Sequence, residues 1–321
     1  MTDTIMKILP PKLRTLLQPM EKKMQELEEI RLRVCAPVCL LFHDGEYYLG
    51  RWGGLTLDMS EAYRITPQEI KLVLELVSDY SLYAHEEELR RGFLSVQGGH
   101  RVGLAGQVIM EHGSIKSVSH ISFMNIRVAH QMKGCGISVF PYIIHKNRML
   151  HTLIISPPGC GKTTLLRDLV RMLSDGYGSY KGGNVAVVDE RSEIAACYQG
   201  MPQNDIGMRT DVLDCCPKAE GMLMLLRSMN PSVIAVDEIG SREDIDAIAY
   251  IIRCGCGILA TVHGESIDDL RTKPVLRKLL EEKMFDRYVL LGKSHGVGSV
   301  ESIFDERGNS LYMQSLCAAG S

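Results

Sequence analysis

Ser156-Pro157-Pro158-Gly159-Cys160-Gly161-Lys162-Thr163-Thr164 is the stretch that decides the fold. It follows the apolar run Leu150 to Ile155. It precedes a segment with Leu166, Leu169, Val170 and Leu173 on one helical face. A strand, a glycine loop and a helix in this order form the context in which backbone amides cradle phosphates. Gly159 and Gly161 let the chain curl so that N–H groups point inward, and the helix N-terminus adds partial positive charge. Lys162 is then placed to reach β- and γ-phosphates, and the Thr163 hydroxyl to ligate Mg²⁺. Ser156 stands where such loops usually carry Gly and is small enough for the position.

Working outward, Ser232-Val233-Ile234-Ala235-Val236-Asp237-Glu238 is an apolar strand that ends in two carboxylates. Asp237 would hold Mg²⁺, and Glu238 would orient and polarise the attacking water. Val187-Val188-Asp189-Glu190-Arg191-Ser192-Glu193 is a second strand that runs into acids. Strand ends on one edge of a parallel sheet converge on the ligand crevice, so one of Asp189, Glu190 and Glu193 is expected at the metal or the water. The alternative is a solvated loop paired with Arg191. Ala260-Thr261-Val262-His263 ends a third strand, and His263 is a candidate sensor of the γ-phosphate. Helical patterns at Met222, Leu225, Leu226 and Met229 and at Ile245, Ile248 and Ile252 separate these runs. Buried strands alternating with helices predict an α/β fold with a parallel sheet. Met222, Met224 and Met229 read as core filling rather than an interface.

The preceding residues read as a smaller α+β domain. The expected boundaries are 1–134 for that domain and 135–321 for the P-loop domain. Lys12 to Leu27 is helical in pattern, and Ile30, Leu32 and Val34 alternate as in a half-buried strand. Cys39 to Phe42 and Tyr47 to Leu49 flank a hairpin turn. Thr66-Pro67-Gln68-Glu69 is a helix start with a capping box. Residues 93–110 read as short strands punctuated by glycines, Asn125 to His130 as another strand, and Lys133 to Gly136 as the start of a linker.

The 321 residues are 45% hydrophobic and 23% charged, the balance of a soluble globular protein. No apolar run approaches a membrane span, and Pro10-Pro11 interrupts the place of a signal peptide. Residues 1–150 carry a net +2 and residues 151–321 a net −5, so neither half has the charge excess of a dedicated nucleic-acid binder. The ten cysteines include no CxxC, which points to reduced thiols in a cytosol. Cys160, beside the loop amides and a helix N-terminus, is expected to be a reactive thiol that bound ATP protects from alkylation.

The four elements in this order resemble the type II/type IV secretion ATPases. The resemblance lies in LRSMNPSVIAVDEIGSREDIDAI and GCGILATVHGES, with Asp189 to Glu193 at that family's acidic box and His263 at its histidine box. Asp237 stands where the family usually has Gly, and Cys256 replaces the first histidine of the box. More narrowly, GFLSVQGGHRVGLAGQV, SFMNIRVAH, VDERSEIAA and FDRYVLLG resemble the sporulation stage III AA family. The resemblance implies a RecA-like P-loop ATPase that uses ATP and Mg²⁺. It implies a ring oligomer, taken as a hexamer, in the mother-cell cytoplasm. Its expected partners are membrane proteins of a secretion-like channel leading to the forespore. It also implies arginines supplied by the first domain. Arg127 and Arg101 are the candidates there, and Arg209 is the candidate from the P-loop half. Two other readings stay open: a RecA-like nucleic-acid motor that uses Gly98-Gly99-His100-Arg101, and a nucleotide-dependent switch with little turnover. Few aromatics and a weakly charged first half argue against the first of these, and Glu238 argues against the second.

Overall fold

The computed structural model describes residues 2–81, 85–111 and 113–312. The chain divides into two compact units. One is Met1–His130 with Ala196–Gln203, and the other is Gln131–Ala195 with the residues from Asn204 onward. Among the described residues, no helix is long and apolar enough to cross a membrane.

The first unit is an antiparallel sheet backed by helices. Its strands are β1 (Leu27–Arg33), β2 (Cys39–Phe42), β3 (Gly45–Leu49), β4 (Leu55–Thr56), β5 (Phe93–Val96), β6 (His100–Glu111) and β7 (Ser114–Arg127), in the order β4-β3-β2-β1-β7-β6-β5. Alternation sends Ile30, Leu32, Leu40, Val102 and Ile126 to one face. There they bury against Ile5, Leu9, Leu13, Ile70 and Val73 of the helices α1 (Thr2–Lys7), α2 (Pro11–Leu17) and α3 (Pro67–Val77). Burying each such side chain contributes about 1.5–3 kcal/mol. The start of α3 is the expected capping box: the Glu69 N–H donates to Thr66 Oγ1 at 3.2 Å, and the Thr66 N–H donates to Glu69 Oε2 at 2.8 Å.

Three local expectations need correction. The helix read over 12–27 stops at Leu17 and continues as two 3₁₀ turns, Gln18–Met20 and Lys23–Glu26. Pro19 ends it, because it has no N–H with which to continue the helical hydrogen-bond ladder, although Gln18 before it keeps helical angles. The strands read as short over 93–110 and 125–130 include a pair of 12 and 14 residues, β6 and β7. Gly106 does not break the ladder. It sits at a register shift where a Cβ would lie 2.5 Å from the Ser119 carbonyl oxygen, so only glycine fits. The Gly98-Gly99 pair, with φ of 93° and 77°, is the turn joining β5 to β6, and His100 beside it is buried.

The second unit adds β8 (Ile144–His145) and β9 (Arg148–Met149), a small hairpin. Its main sheet contains β10 (Thr152–Ser156), β11 (Val185–Asp189), β12 (Thr210–Asp214), β13 (Val233–Val236), β14 (Gly257–His263), β15 (Arg287–Gly292) and β16 (Ser299–Asp305). The order is β12-β11-β13-β14-β10-β15-β16. Every neighbouring pair is parallel except β15 with β16. All residues of β10, β11 and β13 are buried, which explains their unbroken apolar runs. In the first unit α4 (Glu86–Arg91) precedes β5; in the second α5 (Phe140–Ile143) precedes β8, and the crossover helices α6 (Lys162–Asp175), α7 (Lys218–Ser228) and α8 (Arg242–Arg253) join strands of the main sheet. Met222 of α7 is core as expected, but Met224 and Met229 are exposed. The glycines at 134 and 136 are held rather than loose. Both amides donate at 2.8 Å to Asp168 Oδ2 on α6, a carboxylate only 1% exposed whose other oxygen takes Arg171.

Candidate active site

Parallel pairing brings the carboxyl ends of β10, β13, β14 and β11 to one edge of the sheet, where α/β folds form their ligand crevice. Ser156 pairs in register with His263, and Val236 with Ala260 and Val188. The loop after β10 turns through Gly159 (φ 68°) and Gly161 (φ 76°) into the 14-residue α6. A Cβ on Gly159 would meet open space, so this side of the loop is a free cradle for an anion. A Cβ on Gly161 would lie 3.3 Å from the Gly298 Cα. That second contact comes from the glycine-rich turn between β15 and β16. Sequence reading did not connect that turn to the loop, although Gly296 and Gly298 were its signal.

Around this cradle hydrogen bonds join Thr163, Asp237, Thr261 and the Glu238 amide in one line. Thr163 Oγ1 donates to Asp237 Oδ2 at 2.6 Å. The Thr261 hydroxyl donates to Asp237 Oδ1 and accepts the Glu238 N–H at 2.8 Å. Glu238 itself has φ 56°, a left-handed conformation costly for a side chain of this kind. That backbone turn, pinned by Thr261, aims its carboxylate at the crevice. Glu238 Oε1 lies 3.1 Å from His263 Nε2, and Oε2 accepts from Arg191 Nη1 at 2.7 Å. Sequence reading undervalued Thr261 and Arg191. The signal for Thr261 was a lone hydroxyl in an otherwise apolar strand.

At the acidic strand end Asp189 is the residue that departs from expectation. Asp189 is buried and accepts three backbone N–H groups, from Glu193, Ile194 and Ala195, at 2.8–2.9 Å. Burial pushes its carboxyl up to about 6, against the pull of those amides. It shapes the turn and does not face a metal. Glu190 pairs with Lys218 and lines, with Glu238 and Ser241, a cleft of about 500 Å³. The backbone carbonyl of Glu193 accepts from Arg167 of α6 at 2.6 Å, which ties the turn to the P-loop helix.

Arg209 and Cys160 depart from expectation, and Arg127 and Arg101 do not. Arg209 donates to the Ser174 carbonyl at 2.9 Å, at the C-terminal end of α6, about 18 Å along the helix from the P-loop. Within its own chain it cannot reach the phosphates. Arg127 and Arg101 belong to the first unit, where they are register partners. Arg127 Nε lies 3.5 Å from Glu29, and Arg101 stacks 4.7 Å from the Phe93 ring centroid. Cys160 is 2% exposed, with its thiol 3.8 Å from the Pro158 carbonyl, so it is not the accessible thiol expected above. Limited alkylation should label Cys35, Cys215 and Cys254, which are exposed, and leave Cys160 unmodified by peptide mass mapping. Early labelling of Cys160 would refute the buried placement. Ser156 is buried with its hydroxyl on the Pro157 carbonyl at 2.7 Å, and the Thr164 carbonyl accepts from the Cys135 thiol. Cys256 lies at the opposite end of β14 from His263, buried, with its thiol pushed up to about 12, so it does not replace the missing histidine.

The donors present fit both implied groups. Gly159, Gly161 and the α6 N-terminus suit phosphate, and the paired oxygens of Thr163 and Asp237 suit a hard divalent cation.

Comparison with known proteins agrees with this architecture. The family model described as sporulation stage III, protein AA matches residues 1–311. Stage III sporulation protein AA of Bacillus subtilis (strain 168) is 44% identical over 310 residues, which cover 96% of this chain and 97% of that protein. The Legionella pneumophila ATPase DotB superposes with a TM-score of 0.56 at 14% identity, over 88% of this chain and 77% of that one. The pilus retraction motor PilT, solved with bound ADP, gives 0.56 at 13%, over 86% and 77%. At such identities the likeness is one of fold, the RecA-like P-loop fold of the secretion ATPases. The chain belongs to the sporulation stage III protein AA family.

Proposed function

We propose that this protein is an ATPase, converting ATP and water to ADP and phosphate, that drives a secretion-like channel complex in endospore formation. The observation that carries the reading is the continuous line Thr163–Asp237–Thr261–Glu238–His263 beside an open glycine cradle. In this reading residues 135–321 are the ATPase domain, and residues 1–134 are an N-terminal α+β domain. The segment from Ser156 to Thr164 holds the phosphates, and Lys162 neutralises them. Thr163 and Asp237 hold Mg²⁺, which supplies charge neutralisation between the phosphates when bound. Glu238 takes the proton of the attacking water, and His263 orients that carboxylate. Glu190 and Glu193, in the turn after β11, are the next candidates for that role. The B. subtilis relative supports the sporulation context, and DotB and PilT support a motor. The protein acts as a ring, taken as a hexamer, in the mother-cell cytoplasm. It docks on membrane proteins of the channel and needs no nucleic acid.

Turnover of ATP, measured with and without single-stranded nucleic acid, tests this directly. Hydrolysis unaffected by nucleic acid is expected, with a solution mass that rises to a ring on adding ATP. Strong stimulation by nucleic acid would favour a nucleic-acid motor instead.

The arginine roles are testable by mixing. Arg127→Ala protein should bind ATP without hydrolysing it, and Arg101→Ala should behave likewise if both act. A trans arginine can contribute about 10³-fold. Mixing Arg127→Ala with Lys162→Ala protein should restore partial activity, because some interfaces then combine an intact loop with an intact arginine. No recovery in rings that demonstrably exchange subunits would exclude action in trans.

A further inference from the structure

Asp237 and Glu238 follow β13, and His263 ends β14. In the sheet these two strands lie on one side of β10, the strand that leads into the P-loop, and β15 and β16 lie on the other. A triphosphate whose terminal phosphate meets Thr163, Asp237 and Glu238 therefore has its nucleoside toward β15. The turn between β15 and β16, residues 293–298, comes against the loop at that place. A Cβ on Gly161 would lie 3.3 Å from the Gly298 Cα and 3.7 Å from Val297 Cγ1. The Val297 side chain is thus within contact distance of the P-loop, and it is 71% exposed.

An exposed valine is ordinary by itself. This one differs in its place and in how firmly it is held. Gly296 and Gly298, on either side of it, have φ of 109° and 87°, a course that glycine follows without strain. Ser294 donates twice to Glu301 Oε1, from its hydroxyl at 2.7 Å and from its N–H at 3.1 Å. The His295 N–H donates to Ser299 Oγ at 3.1 Å, and the Ser299 hydroxyl donates to the Gly296 carbonyl at 2.7 Å. These bonds fix the backbone before and after Val297, so its methyl groups are presented at a set position beside the loop. Small-molecule sites are lined in this way, by apolar side chains that cover the ligand's flat parts and by polar groups that fix its charged end.

We propose that Val297 holds the nucleobase, its methyl groups packed on the face of the ring at the β15 side of the P-loop. This rests on the ATPase reading above and adds to it the seat of the nucleoside. An aliphatic side chain against a ring face touches no hydrogen-bonding edge. Val297 therefore supplies affinity for a base without choosing adenine over guanine.

Inorganic tripolyphosphate carries the phosphates without a base, so it separates this contact from the loop. Affinities for ATP, ADP, GTP and tripolyphosphate, each with Mg²⁺, would be measured by calorimetry for wild type, Val297→Ser and Val297→Ile. Val297→Ser should weaken ATP, ADP and GTP by a common factor of about 3- to 10-fold and leave tripolyphosphate unchanged. Val297→Ile, which keeps the apolar surface, should hold all four within about 2-fold of wild type. Because the side chain is largely exposed, both variants should melt like wild type.

Four results would overturn the proposal: ATP affinity unchanged in Val297→Ser, an equal loss for tripolyphosphate, a loss for ATP with none for GTP, or Val297→Ile losing as much as Val297→Ser. Failure of the ATPase reading looks different, since wild-type protein would then bind neither ATP nor tripolyphosphate.

Discussion

Glu238→Gln protein is expected to bind Mg·ATP at least as well as wild type and to lose hydrolysis by about 10²- to 10⁴-fold, the usual contribution of a positioned general base. The substitution keeps the length and shape of the side chain. It also keeps one oxygen, which can still face His263 or Arg191. What it removes is the ability to accept the proton of water. The backbone turn at φ 56° is held by the Thr261 hydroxyl and does not depend on the carboxylate, so folding should be unaffected. Single-turnover measurements with radiolabelled ATP would separate binding from chemistry. Turnover at the wild-type rate would move the water-activating role elsewhere, with Glu190, across the same cleft, as the next residue to test.

Lys162→Ala is expected to weaken ATP binding by about 10²-fold or more. Each hydrogen bond from a charged group to a phosphate oxygen contributes about 1.5–3 kcal/mol, and a factor of ten in affinity corresponds to about 1.4 kcal/mol. Lys162 is the first residue of α6, so its removal takes a full charge from the point where the helix amides also converge. Alanine favours the helix, and the substitution leaves the buried face of Leu165, Leu166 and Leu169 intact. A thermal melt unchanged from wild type, beside a lost response to a fluorescent nucleotide, is the expected pair of results. Undiminished ATP affinity would refute the phosphate role of the loop.

Lys162 opens α6 and Glu238 follows β13, and a chain of hydrogen bonds links the two elements. Asp237 accepts from Thr163, the residue next to Lys162, and also from Thr261, which holds the amide of Glu238. The loop and the Glu238 backbone are thus joined through two hydroxyls and one carboxylate. Asp189 and Arg167 fix the turn that carries Arg191.

Much of this molecule was legible in the sequence because much of it is local. The glycine spacing of 156–164, the apolar runs that end in Asp237-Glu238 and at His263, and the capping box at Thr66 are each signals within a few residues. Such signals name elements and place functional groups at their ends. Long strands were less legible. The β6–β7 ladder holds together through pairing with a distant partner, and Gly106 reads as a break until the opposing carbonyl is seen. The partners of charged side chains were not legible at all. Asp189 and Arg191 lie two residues apart in one acidic turn. Yet the first is buried under backbone amides, and the second reaches Glu238, 47 residues away in the chain. Arg209 looked like a catalytic arginine by motif and instead ties down the far end of α6. Ala196–Gln203 leaves the acidic turn to join the first unit, where Tyr198 donates to Asp79 and Gln203 accepts from the Gly98 amide. Residue type and spacing determine which chemistry a chain can offer. Which charge meets which is decided by the order of strands in the sheet, since ion pairs and hydrogen bonds act over a few ångströms of space and take no account of distance along the chain.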